Sequence, residues 1–211
     1  IPQKRKYNLM RCSIHIIFIT ISKAVPIALA VVFGLCAVAM IGIMVYFSCI
    51  DTKTDLGSFE RIIRFNDIWG THRGFMWIRS IWIFGDASFI EKLFGVGPDM
   101  FYSAFSPYFD DLSKYGDSST NAAHNEYLNY LITIGITGLL SYLAIVCGTI
   151  KNAVKYAKEN PMLIACVSAV ICYAVQSVVN LYQPITTPLF FIFIALCEAF
   201  VRNAKAEKSA V

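Results

Sequence analysis

Charge is what this chain has little of. Asp, Glu, Lys and Arg make up 15% of its 211 residues, against 57% apolar residues and a mean hydropathy of +0.59. A soluble domain ordinarily carries about 25% charged residues, so the apolar surplus must face something other than water. That excludes a disordered chain and argues against an ordinary soluble enzyme. A disulfide framework is excluded as well. The seven Cys stand at positions 12, 36, 49, 147, 166, 172 and 197, leaving the one long polar stretch, where an extracellular bridge would serve, without any; they read as small apolar fillers. No HxxxH or CxxC spacing occurs, so His72, His124 and the acids Asp110, Asp111 and Asp117 do not read as a metal site, and no cofactor is expected. A net charge of +4, scattered along the chain, gives no footprint for nucleic acid. Internal repeats, low-complexity tracts and a signal-peptide layout are also missing. The chain opens Ile-Pro-Gln-Lys-Arg-Lys and is expected to be the C-terminal part of a longer membrane protein.

What is there is a set of long apolar runs. Crossing a bilayer takes roughly 20 such residues. Residues 24–50 meet this without one charge, and residues 124–150 and 162–182 follow. Residues 188–201 are only just long enough and begin at the Thr186-Thr187-Pro188 turn. Residues 1–23 are basic and suit an amphipathic helix on the membrane or the tail of an earlier span. Eleven of the 18 basic residues fall before residue 24, in residues 151–161 or in residues 202–211, whereas residues 51–123 hold ten of the 14 acids against seven bases. The positive-inside rule then puts residues 1–23, 151–161 and 202–211 in the cytoplasm, with residues 51–123 and the 183–187 turn outside. The expected fold is therefore all-α: a multi-pass transmembrane helix bundle with a large extracytoplasmic loop containing short interfacial helices.

That loop has internal order. Residues 73–94 are rich in Trp, Phe and Ile with charges between, as suits one or two interfacial helices. Gly95-Val96-Gly97-Pro98 reads as a tight turn, with Pro98 suited to the first turn of a new helix. Residues 110–121 are polar and loop-like, and Ser118, Ser119, Thr120 and Asn121 are candidate caps for the next helix. If that helix is continuous, its 3.6-residue turn places His124, Leu128, Leu131, Gly135 and Gly138 on one stripe. Small residues there would admit a neighbouring helix, and His124 would point into the bundle at its outer edge. An ionisable group so held is a functional candidate, or else a hydrogen-bonded interfacial histidine without chemistry. Arg61, Arg64, Arg73 and Arg79 precede it. Guanidinium forks suit the phosphate of a lipid carrier, or simply anchor helices to anionic phospholipid, the reading favoured for Arg61, Arg64 and Arg79. Tyr127, Tyr130, Tyr102 and Tyr108 suit an interfacial belt or stacking on sugar rings. His15 and Glu198 read as structural.

Taken together, Arg73…Trp77, Gly95-Val96-Gly97-Pro98 and His124-Asn125, nine residues, Gly135-Ile136-Thr137-Gly138 resemble the O-antigen ligase and O-antigen polymerase family of bacterial membrane glycosyltransferases, in order and in spacing. The resemblance covers roughly residues 61–145. It implies a metal-independent, inverting enzyme at the outer face of the cytoplasmic membrane, taking an undecaprenyl-diphosphate-linked glycan as donor and a glycan or lipid-glycan as acceptor. His124 matches the general base and Arg73 the residue that holds the diphosphate; Asn125 belongs to the motif, and Arg64, Arg79 and Tyr127 are candidate substrate contacts. Polymerisation of a capsular, exopolysaccharide or O-antigen repeat is preferred over ligation, although both share these residues. Members are usually longer, with a further arginine in an earlier half, so this stretch alone is not expected to be active. Two other classes remain in view. A lipid-linked glycan transporter or flippase component would need ionisable residues or broken helices at the bilayer midplane, and a non-catalytic scaffold would leave the His–Gly–Gly pattern a coincidence.

Overall fold

The computed structural model describes residues 28–158 and 160–209; the basic segment 1–23 and the start of the expected 24–50 span lie outside the described residues. The chain divides into two compact units, residues 1–66 and 67–211. Described residues form helices and turns only.

In the first unit, α1 (Ala28–Ile50) is apolar and long enough to cross a membrane. It ends in a wider π-turn over Tyr46–Ile50. A 3₁₀ turn, Gly57–Phe59, leads into the single turn α2 (Glu60–Ile63). Arg64 ties this unit together. Its Nε donates to Phe47 O (3.1 Å), Nη1 to the Glu60 carboxylate (3.0 Å), and Nη2 to Thr54 O (2.7 Å) and Asp51 O (3.3 Å). The carbonyls left open where α1 ends thus find a charged donor.

The second unit begins with α3 (Trp69–Asp86), whose first residues are not helical: Gly70, Thr71 and His72 take left-handed dihedrals (φ 58°, 61° and 67°) before regular helix starts at Arg73. α4 (Phe89–Phe94) opens on a capping box, Ser88 Oγ accepting from Glu91 N–H and the Glu91 carboxylate from Ser88 N–H. α5 (Phe101–Phe105) and α6 (Phe109–Ser113) follow. Phe75, Met76, Phe101, Phe105 and Leu112 form one buried core with Ala123 and Ile132. The segment expected as a polar loop from residue 110 thus contains α6, because Leu112 is wholly buried there. Pro98 lies in a turn ahead of α5 and not in its first helical turn.

The helix expected to run unbroken through residues 124–150 is two. α7 (Glu126–Thr133) stops at Ile134, and α8 (Gly135–Tyr156) restarts on Gly135 with φ 68°. α8 is the second helix long and apolar enough to cross a membrane. α9 (Pro161–Gln176) is apolar but shorter, and α10 (Thr186–Ser209) carries Glu198, Arg202, Lys205, Glu207 and Lys208 along its later turns. α8, α9 and α10 pack around Ala153, Leu163, Cys166, Val167, Cys197 and Val201, and further along around Tyr142, Val146, Val170 and Phe190.

Candidate functional site

The break at Gly135 dissolves the single stripe expected from His124 to Gly138. What approaches Gly135 is the chain at Leu93 and the Gly95-Val96-Gly97 turn, whereas Gly138 lies against the Ile134 side chain. Val96 N–H donates to Ile132 O (2.9 Å) and Gly97 N–H to Thr133 O (3.0 Å), so the turn takes up carbonyls at the end of α7 that have no helical partner. A side chain on Gly95 would overlap the Thr133 carbonyl, and one on Gly135 the Leu93 carbonyl. Thr137 Oγ1 donates to that same Leu93 oxygen at 2.7 Å. Both glycines also have positive φ, where any other residue is strained.

This clasp fixes α7, and α7 fixes the loop before it. The cap of α7 is Asn125, not one of residues 118–121: its Oδ1 accepts from Leu128 N–H at 3.0 Å, and it is buried. Asn125 is therefore engaged in the backbone. His124, one residue earlier, is half-buried in a left-handed conformation (φ 50°), outside any helix and beside the fully buried Ala123. Its imidazole pKa lies below the ordinary value. Burial is the largest cause, the positive charge of Arg73 acts in the same direction, and Asp117 opposes them.

Arg73 leaves the strained turn at Gly70-Thr71-His72. Left-handed residues other than glycine cost about 1–2 kcal/mol each, so something must hold the turn. Asp67 accepts from both Nη atoms of Arg79, the second at 2.9 Å, while Phe75 N–H donates to Asp67 O at 3.3 Å. The Arg79 guanidinium also lies 4.0 Å from the centre of the Phe75 ring and 4.8 Å from that of Trp82. This bridge spans the turn from one side to the other. Arg73 itself makes one hydrogen bond, Nη1 to Gly70 O at 3.1 Å, and its buried Nε has no partner among the described residues. Neither has the buried Nδ1 of His72, whose ring lies tilted against Tyr115 with the ring centres 4.7 Å apart.

Of the residues singled out in the sequence, His124 and Arg73 are thus brought within electrostatic reach of each other, with donors to spare on Arg73. The other four are occupied: Arg79 by Asp67, Asn125 by the α7 amide, Tyr127 by Ala174 O, to which its hydroxyl donates at 2.6 Å, and Arg64 by its own unit. Tyr130, expected as a belt residue, belongs instead to a polar stripe on α7 with Glu126, Asn129 and Thr133, at i, i+3, i+4 and i+7. Glu126 is 1% exposed. Its carboxylate accepts from the hydroxyls of Tyr130 and Ser177, both at 2.8 Å, and its N–H donates to Ser177 O at 2.9 Å. The helical spacing of these polar residues was the available signal.

A family model described as O-antigen ligase matches residues 9–143. No curated protein and no solved structure matches the chain. The matched segment is well over half of the chain and contains Arg73, the Gly95-Val96-Gly97-Pro98 turn and every fixed position of the motif from His124 to Gly138. The chain therefore belongs to the O-antigen ligase family, membrane-bound enzymes that process lipid-linked glycans.

Proposed function

We propose that this chain carries the reacting end of a metal-independent, inverting glycosyltransferase at the outer face of the bacterial cytoplasmic membrane, which extends or transfers an undecaprenyl-diphosphate-linked glycan, with polymerisation preferred. His124 is the general base. It takes the proton of an acceptor hydroxyl while that oxygen bonds to the anomeric carbon. The bond from that carbon to the diphosphate breaks on the opposite face, and its electron pair leaves with undecaprenyl diphosphate. Arg73 holds the diphosphate and offsets the charge that grows on it, an electrostatic contribution already in place before reaction. Asn125 serves as the cap that aims His124, while Arg64, Arg79 and Tyr127 act through the scaffold.

The observation that carries this reading is the pairing of a guanidinium with unused donors and an imidazole whose pKa it lowers. A general base must be neutral at the working pH. Burial first, and the positive charge of Arg73 second, hold the His124 pKa below its ordinary value and so favour the neutral form.

The test uses the full-length protein in nanodiscs with an undecaprenyl-diphosphate-linked glycan, scored for longer glycan and released undecaprenyl diphosphate. His124→Ala is expected to lower turnover by about 10²–10⁴-fold, and Arg73→Ala to do the same without loss of folded protein. Normal product from His124→Ala removes the base, and movement of the lipid-linked glycan across the bilayer without a new glycosidic bond makes the protein a transporter.

A further inference from the structure

A cleft of about 240 Å³ lies where the end of α7 meets the start of α10, lined by Asp99, Asn129, Tyr130, Thr133, Tyr182 and Thr187 among others. That is space on the scale of a single sugar ring. Its walls are held by their own hydrogen bonds. Tyr130 donates to Glu126, Thr133 Oγ1 donates to Asn129 O at 2.8 Å, and Thr187 Oγ1 bonds the Tyr173 hydroxyl at 2.7 Å and accepts from Gln183 N–H at 3.0 Å. The side chains of Asp99, Asn129 and Tyr182 make no hydrogen bond among the described residues. Asn129 is 5% exposed, and its Oδ1 has no partner among the described residues. That oxygen is closed off from the cleft, so the polar side-chain atom Asn129 leaves to a ligand is its amide nitrogen, a donor.

The one charged residue that lines the cleft is acidic. Asp99 stands exposed at its rim, Glu126 lies behind Tyr130, and no cation is among the lining residues. A diphosphate is disfavoured there and belongs instead with Arg73. Sugar oxygens that accept from the Asn129 amide and hydroxyls that donate to the Asp99 carboxylate, on a ring that packs against Tyr130 and Tyr182, fit both the polarity and the shape. We infer that this cleft is a subsite for one uncharged pyranose of the glycan, seated by Asn129 and Tyr182 and closed to acidic sugars by Asp99. The inference rests on the glycan-transfer reading for the identity of its ligand, and on the cleft alone for its chemistry.

Saturation-transfer NMR on the full-length protein in nanodiscs tests it, with methyl α-glucopyranoside, N-acetylglucosamine and glucuronate as probes. At least one neutral sugar is expected to bind and glucuronate to bind far more weakly. Asn129→Leu, matched in size, should weaken the neutral sugar about tenfold, and Asp99→Asn should bring glucuronate up to the neutral level. Tyr182→Ala, at a more exposed position, should also weaken binding and carries the test if Asn129→Leu does not fold. Binding by none of the three probes, unchanged binding in the Asn129 or Tyr182 variant, or glucuronate bound as well as the neutral sugars overturns the subsite. None of these readouts requires turnover. Transfer lost in His124→Ala together with an empty cleft sinks the subsite alone, whereas sugar bound here by a protein that makes no glycosidic bond sinks the transferase alone.

Discussion

Gly95 and Gly135 meet backbone to backbone. A Cβ added to Gly135 would come 2.6 Å from the Gly95 nitrogen and collide with the Leu93 carbonyl. Two motifs that stand 40 positions apart in the sequence are therefore one structural device. The turn after α4 caps the end of α7, and the chain changes direction at Gly135 to begin α8.

The first prediction follows from that contact. Gly135→Ala forces a side chain into backbone at a residue whose φ is 68°, and should destabilise the protein by about 1–3 kcal/mol or more. Gly148→Ala is the control: it lies within α8 with nothing within 4 Å of an added Cβ, and should be neutral or slightly stabilising. Thermal unfolding of the detergent-solubilised protein measures both. An equal response from the two glycines would mean that the clasp is not tight.

How legible was this beforehand? α1 was plain, because a long charge-free run has few alternatives to a spanning helix. The Trp-rich stretch from Arg73 was expected as helix and is α3 and α4. The glycines were harder. A small residue in an apolar run reads equally as a place where a helix packs closely and as a place where the backbone turns left-handed, and Gly135 is the second kind. The α7 cap was misplaced by four or more residues because Ser118 to Asn121 are all good cap formers. What decides against them is tertiary: Ala122 and Ala123 are buried, which holds the chain non-helical until Asn125. The left-handed turn before Arg73 has only Gly70 to announce it, and Thr71 and His72 give no such sign. His124 and Arg73 could be named from their motifs, yet the residues that hold them, Asp67 and Glu126, belong to no motif.

The second prediction concerns that turn. Thr71 is exposed and left-handed at φ 61°, a conformation that a β-branched residue tolerates poorly. Thr71→Gly should therefore stabilise the protein by roughly 0.5–1 kcal/mol, the relief of strain exceeding the extra backbone entropy of the unfolded chain. Asp67→Ala should act in the opposite direction, since it removes the partner that closes the turn through Arg79. A rise in unfolding temperature for the first and a fall for the second are expected.

The third prediction is electrostatic. Burial and Arg73 lower the His124 pKa, and Asp117 raises it. Arg73→Gln should therefore move the imidazole titration up, towards its ordinary value, and Asp117→Asn should move it further down. In the wild type the base is neutral at pH 7 and takes a proton only on the acid side, so the acid limb of the pH–rate profile should shift upward in Arg73→Gln and downward in Asp117→Asn. Imidazole chemical shifts followed against pH, with His15 and His72 replaced, read the same movement without turnover. A titration that ignores both substitutions would separate the two motif residues.

The fourth prediction tests the polar stripe of α7. Glu126 is buried, and two hydroxyls donate to its carboxylate while its own N–H is bound to Ser177 at the end of α9. Glu126→Leu strands the Tyr130 hydroxyl at a cost of about 1–3 kcal/mol, while the Ser177 hydroxyl keeps the Tyr173 carbonyl at 3.0 Å. Glu126→Gln keeps one carbonyl acceptor and should cost markedly less. Because the Glu126 N–H to Ser177 bond is made by the backbone, it survives both changes, so α7 should still form. The loss should therefore appear first as loosened packing between α7 and α9. Hydrogen exchange at Glu126, Asn129 and Ser177 should rise in the order wild type, Gln, Leu, and the unfolding temperature should fall in the same order. If leucine proved as stable as glutamate, the buried carboxylate would be dispensable to the fold, and its place two residues from His124 would then call for an explanation in the reaction itself.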